Sequence, residues 1–191
     1  MEIKYIPKTK EELRRLIEDD VPGVQIDVSN ITDMSELFKE SSYNHPLDSW
    51  NISQVTNMDF MFDGSQYNHP LGSWDTGKVQ SMTYMFYMSQ YNHPLGSWDV
   101  SQVINMDLMF YGSQYNHPLG GDALGASSWN VSKVRNMDYM FCGSRYNHPL
   151  NSWDVSQVKS MDHMFYYSKL NIGPISRKTW KKKWEAMARR F

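Results

Sequence analysis

The chain has 191 residues, a net charge of −2, 40% hydrophobic and 14% aromatic content, and one cysteine, Cys142. That composition supports a packed core, while a lone cysteine excludes a disulfide framework and points to a reducing compartment. No apolar run reaches membrane-spanning length, and Met1-Glu2-Ile3-Lys4-Tyr5 offers no secretory signal, so a cytoplasmic or virion-associated protein is expected rather than a secreted one.

At the start of the chain, Thr9-Lys10-Glu11-Glu12 has the pattern of a capping box. Leu13, Leu16 and Ile17 follow on one face, which predicts a helix from about Lys10 to Asp19, ended before Pro22-Gly23. Residues 1–23 are expected to cap a repeat array whose first unit would otherwise expose its core.

The array is visible as a period. Tyr-Asn-His-Pro-Leu begins at Tyr43, Tyr67, Tyr91, Tyr115 and Tyr146, and tryptophans recur at Trp50, Trp74, Trp98, Trp129 and Trp153. The spacing is 24 residues apart from one interval of 31, and Met34, Met58, Met82, Met106, Met137 and Met161 mark six rungs. Trp98 and Val100 stand at i and i+2, as on one side of a short strand, with Asp99 on the other. The serine that follows (Ser53, Ser101, Ser132, Ser156) suits a helix N-cap. Val103, Met106, Met109 and Phe110 then predict a short helix or 3₁₀ turn. Stacked in parallel, equivalent residues form columns, and Asn44, Asn68, Asn92, Asn116 and Asn147 are expected to make an asparagine ladder.

The sequence Trp-Asp-Val-Ser-x-Val-x-x-Met-x-x-Met-Phe followed by Tyr-Asn-x-Pro-Leu resembles the BspA-like leucine-rich-repeat surface-protein family over about Asp27 to Ser168. Val55-Thr56-Asn57-Met58 is nearly verbatim. The resemblance implies a leucine-rich-repeat-like solenoid used for binding or adhesion, in bacterial surface proteins and in proteins of large DNA viruses. The expected fold class is therefore an α/β repeat: a solenoid spanning 24–172, six rungs of short parallel strand plus short helix, with helical caps.

Seven residues, 121–127, lengthen one interval, and insertions in repeats map to surface loops that either bind or are merely tolerated. Residues 173–191 are expected to form a basic cap helix in which Trp180, Trp184, Met187, Ala188 and Phe191 share a stripe. Residues 177–191 hold seven basic groups and one acidic. Trp180, Lys181, Lys182, Lys183, Trp184, Arg189 and Arg190 thus offer an alternative function, docking to an anionic membrane or nucleic acid.

Recurring His45, His69, His93, His117 and His148 suggest a metal, but a straight column presents ligands from one direction, so no metal or cofactor is expected. Ser, His and Asp recur in near-copies rather than in one unique constellation, so no catalytic residues, small-molecule substrate or enzyme activity are expected. The outward Asp27, Asp75, Asp99 and Asp154, interrupted by Asn51 and Asn130, are read as solvated, with weak Ca²⁺ binding the other option. Stacking constrains the uniform positions, so those that vary are free to specify a partner. Phe60, Tyr84 and Tyr139 lie between the two methionines, and Tyr87, Tyr111 and Tyr166 lie before the glycine position. They are the candidate contacts for a protein partner, in a non-enzymatic interaction or scaffold module of a virion or surface assembly.

Overall fold

The computed structural model describes residues 3–120, 128–150 and 152–168. One α-helix, α1 (Lys10–Glu18), is found among them, one residue shorter than expected because Asp19 serves as its C-cap. Thr9 accepts the Glu12 amide at 3.1 Å, while the Glu12 carboxylate reaches back to the Lys8 amide at 2.7 Å. Leu13 and Ile17 are buried against the first rung, and Lys10 ties the helix down through Asp33 at 3.3 Å.

Beyond α1 and a short 3₁₀ helix, Gly23–Gln25, the described residues form turns and isolated bridges, so the rung is a series of turns rather than the expected short strand plus short helix. In the rung carrying Trp50, the amides of Trp50, Val55, Met61, Asp63 and Ser65 each donate to the carbonyl three residues back. The amides between them leave the rung. Met58, Phe60, Phe62 and Gly64 donate to Ser81, Thr83, Met85 and Tyr87 of the following rung, and Thr56 and Gln66 to Thr32 and Ser41 of the preceding one. A helix would use all these amides internally and leave none for stacking. The spacing agrees with this: apolar side chains at i, i+3, i+6 and i+7 follow a three-residue period rather than 3.6.

Stacking is parallel and in register. A column of single-residue bridges joins Asp33, Asn57, Ser81, Asn105, Asn136 and Ser160, with no longer strand among the described residues. At the N-terminal end Tyr5 bridges Ile26, so residues 3–6 and α1 cover the first rung together. Inside, Phe38, Phe62, Phe86 and Phe110 form one column, their centroids 5.2, 5.5 and 5.6 Å apart and their planes within 6°. Such offset stacking adds about 0.5–1.5 kcal/mol per pair to the area buried. Tryptophan and tyrosine columns flank it, and Leu13 through Met164 make one continuous core.

The long interval leaves the rung intact. Elsewhere the tryptophan amide donates to the leucine three residues back; Trp129 makes the same bond to Leu119, at 3.0 Å, across the inserted residues. An antiparallel bridge between Gly120 and Ser128 closes the neck of the insertion, whose residues 121–127 lie outside the described ones. A Cβ on Gly120 would sit 2.3 Å from the Pro149 carbonyl oxygen, which is backbone and cannot turn away. Removing 121–127 restores a Leu-Gly-Ser-Trp turn like Leu71–Trp74. Its expected effect in chemical denaturation is within about 1 kcal/mol of the parent, whereas Gly120→Ala is expected to lose more than about 2 kcal/mol.

Candidate functional site

The uniform positions are occupied by structural work. Each indole Nε1–H donates to a carbonyl of the preceding rung, Trp74 to Leu47, Trp98 to Leu71 and Trp129 to Leu95, all at 2.9 Å. Trp50 reaches Gly23, which stands in the leucine place of the degenerate first rung, where any Cβ would meet Leu47 at 2.8 Å. The phenol oxygens of Tyr67 and Tyr91 accept the Leu47 and Leu71 amides at 3.2 Å. Burial pushes both phenols far above their ordinary pKa, which keeps them neutral.

The asparagines form a ladder: Asn44, Asn68, Asn92 and Asn116 each accept through Oδ1 the amide of the next asparagine up the stack, at 2.8–3.2 Å. Each histidine donates from Nε2 to the asparagine carbonyl one rung back, His69 and His93 at 2.8 Å, His117 and His148 at 3.0 Å. A carbonyl only accepts, so these bonds set the tautomer. At the foot of the column Asp20 takes the carbonyl's place, 3.2 Å from His45. Each ring also meets its own rung's tyrosine edge-on, as His93 does Tyr91 at 5.8 Å. The column's side chains are thus tied into turns, and no group of three or more potential metal ligands occurs among the described residues.

The serine expected to cap a helix does not do so. Instead the preceding Asp or Asn accepts its amide, closing an Asx-turn: Asp27 to Ser29, Asn51 to Ser53, Asp99 to Ser101, Asn130 to Ser132 and Asp154 to Ser156, at 2.9–3.2 Å. Asp75 does the same for Gly77 at 3.1 Å. One acceptor oxygen is all this needs, which is why Asn and Asp interchange here.

The variable positions gather on one side. Phe60, Tyr84, Leu108, Tyr139 and His163 form one column of a ribbon, with Asp63, Tyr87, Tyr111, Cys142 and Tyr166 beside them. Phe60 stacks on Tyr84 with centroids 4.6 Å apart, Tyr139 on His163 at 4.9 Å, and Tyr87 on Tyr111 at 4.9 Å. Tyr84 and Tyr87 join the columns at 5.2 Å, as His163 and Tyr166 do at 5.3 Å. Exposure grows toward the C-terminal end, from half-buried Phe60 to Tyr166 at 49%. All six candidate contacts therefore share one surface. Cys142 keeps its place in the second column but is buried beneath the surface, and that burial pushes its thiol up.

Sequence reasoning missed two features of this ribbon. Its first column is left-handed throughout, with φ of 58° at Phe60, 58° at Tyr84, 53° at Leu108, 54° at Tyr139 and 54° at His163. Large side chains rarely adopt this conformation, at a cost of about 1–2 kcal/mol each. Four residues later a second left-handed column runs Glu40, Gly64, Met88, Gly112, Gly143 and Tyr167. There the Met88 sulfur occupies the space a Cβ on Gly112 would need, 2.3 Å from it, while a Cβ on Gly64 would meet Glu40 Cγ at 3.3 Å. The glycines, two rungs and then one rung apart, were the available signal. Met88, 51% exposed, and Tyr167, at 79%, extend the ribbon. The tail residues Trp180, Lys181, Lys182, Lys183, Trp184, Arg189 and Arg190 lie outside the described residues, as does the expected cap helix.

Two substitutions separate these roles. Tyr84→Asn gives up a stacked pair, about 0.5–1.5 kcal/mol, but supplies a residue that tolerates the left-handed region, so urea denaturation is expected to change by no more than about 1 kcal/mol. Phe86→Ala, in the core column, is expected to lose about 3–5 kcal/mol. At the Asx-turn, Asp99→Asn is expected to leave the melting temperature unchanged, and Asp99→Ala to remove about 1 kcal/mol.

Neither the curated proteins nor the solved structures contain a match to this chain. A family described as "Mycoplasma protein of unknown function, DUF285" matches residues 11–121 and again 122–191, so the chain belongs to DUF285, a family of BspA-like repeats.

Proposed function

We propose that the protein is a short repeat solenoid that acts without catalysis, as a scaffold holding a protein partner on its aromatic ribbon, within a surface or virion assembly. One observation carries this reading: the rungs differ from one another chiefly where side chains are partly exposed, and there Phe60, Tyr84 and Tyr139 hold a left-handed conformation that such residues disfavour. Glycine or asparagine would fill the left-handed positions at lower cost. Aromatic side chains kept there point to a use outside the fold, and Tyr-rich surfaces match the composition of interface cores. The histidine column supports a non-catalytic role, since its Nε2 atoms are already bonded to carbonyls.

The test is site-directed photo-crosslinking in the native source, with a benzophenone side chain placed at Tyr111 in the ribbon or at Asn92 on the ladder. A defined protein adduct from position 111 and none from position 92 is the expected result. Equal yields from both positions, or none from either, would reject the ribbon as the contact surface.

A further inference from the structure

Among the described methionines Met88 stands apart. The eleven others, from Met34 to Met164, are core residues at 7% exposure or less, whereas Met88 is 51% exposed. Its amide donates to the Tyr111 carbonyl at 2.7 Å, which seats it in the second left-handed column, between Gly64 one rung below and Gly112 one rung above. The sulfur lies over the bare Gly112 backbone. Its chain neighbour Tyr87 stacks on Tyr111 at 4.9 Å, so the thioether borders the second column of the ribbon.

The fold does not ask for a methionine here. Gly64 and Gly112 hold the same conformation without a side chain, at φ of 63° and 61°, and a Cβ only adds to the cost of a left-handed residue. Nor does the side chain serve a copy of itself, since both neighbours in the column are glycines. What methionine supplies and glycine cannot is a nucleophilic sulfur. Its lone pair attacks one oxygen of hydrogen peroxide: an S–O bond forms, the O–O bond breaks, two electrons pass from sulfur to the peroxide, and the other oxygen leaves as water with both protons. No prior deprotonation is needed, unlike at a thiol. Cys142 does not compete, being buried with its thiol pushed up. The core methionines are reached only when stacked rungs open.

We propose that Met88 is a peroxide-sensitive modification site and that its sulfoxide releases the partner held on the ribbon. The release rests on the interaction role given above. Oxidation replaces an apolar contact beside Tyr87 and Tyr111 with a polar, hydrated S–O group. The stack, which carries glycine at the equivalent places on either side, is left as it was.

To test the site, the full chain is treated with dilute hydrogen peroxide under native conditions, and added oxygen is assigned to each methionine by peptide mass spectrometry. Met88 is expected to oxidise at least about tenfold faster than any of the eleven core methionines, with the melting temperature unchanged. Comparable rates would overturn the site. To test release, the chain carrying a benzophenone side chain at Tyr139, two rungs from the sulfur, is returned to an extract of the native source before or after peroxide and illuminated. Peroxide is expected to abolish the protein adduct, methionine sulfoxide reductase to restore it, and Met88→Leu protein to keep it throughout. An adduct that survives full oxidation of Met88, or is lost equally in Met88→Leu, would overturn the release. No adduct before peroxide rejects the ribbon interface and the release with it, and the oxidation site then stands or falls on the mass spectra.

Discussion

Alternate amides along part of each rung point out of it. From Met58 to Gly64 the even-numbered amides donate to the following rung, while Met61 and Asp63 between them close turns within their own. Satisfying both sets demands a backbone that reverses its handedness every few residues, hence the left-handed positions at Phe60 and Gly64 and their equivalents. Each rung therefore depends on its neighbours for about half of these bonds. A single rung would leave them to water, so the array has to be capped by α1 and residues 3–6 at its start.

The same rule divides the side chains into two populations. Where a side chain serves the copy of itself above and below, identity is enforced: Asn92 accepts from Asn116 as Asn68 accepts from Asn92, and Trp98 reaches Leu71 as Trp74 reaches Leu47. Where a side chain faces water no such constraint acts, and composition diverges from Phe60 to Tyr84 to Leu108. The insertion at 121–127 obeys the rule too. It enters between Gly120 and Ser128, where the tryptophan-to-leucine bond can be closed without it.

Much of this was legible in the sequence. The period, the columns, the asparagine ladder and the N-terminal helix follow from spacing and residue type alone, because identical residues at identical intervals leave few other ways to stack. The interior of the rung was harder. Ser101 reads as a helix cap, yet Asp99 two residues earlier makes the bond, and nothing in a Trp-Asp-Val-Ser string favours one over the other without the backbone path. Val103, Met106, Met109 and Phe110 suggest a helix until their three-residue period is weighed against the recurring Gly64, Gly112 and Gly143. The ribbon was legible as a set of variable positions but not as a strained one, since Phe60, Tyr84 and Tyr139 carry no local sign of a left-handed backbone.

The claim on which everything else stands is that these amides bond between rungs rather than within them. Scalar couplings across hydrogen bonds, measured by NMR on uniformly labelled protein, report each donor and acceptor directly. The account predicts correlations from the Phe60 and Phe62 amides to the Thr83 and Met85 carbonyls, repeated one rung further on from Tyr84 and Phe86 to Asp107 and Met109. Correlations from Phe62 and Phe86 to the carbonyls four residues earlier in their own rungs would mean helical rungs, and would contradict it.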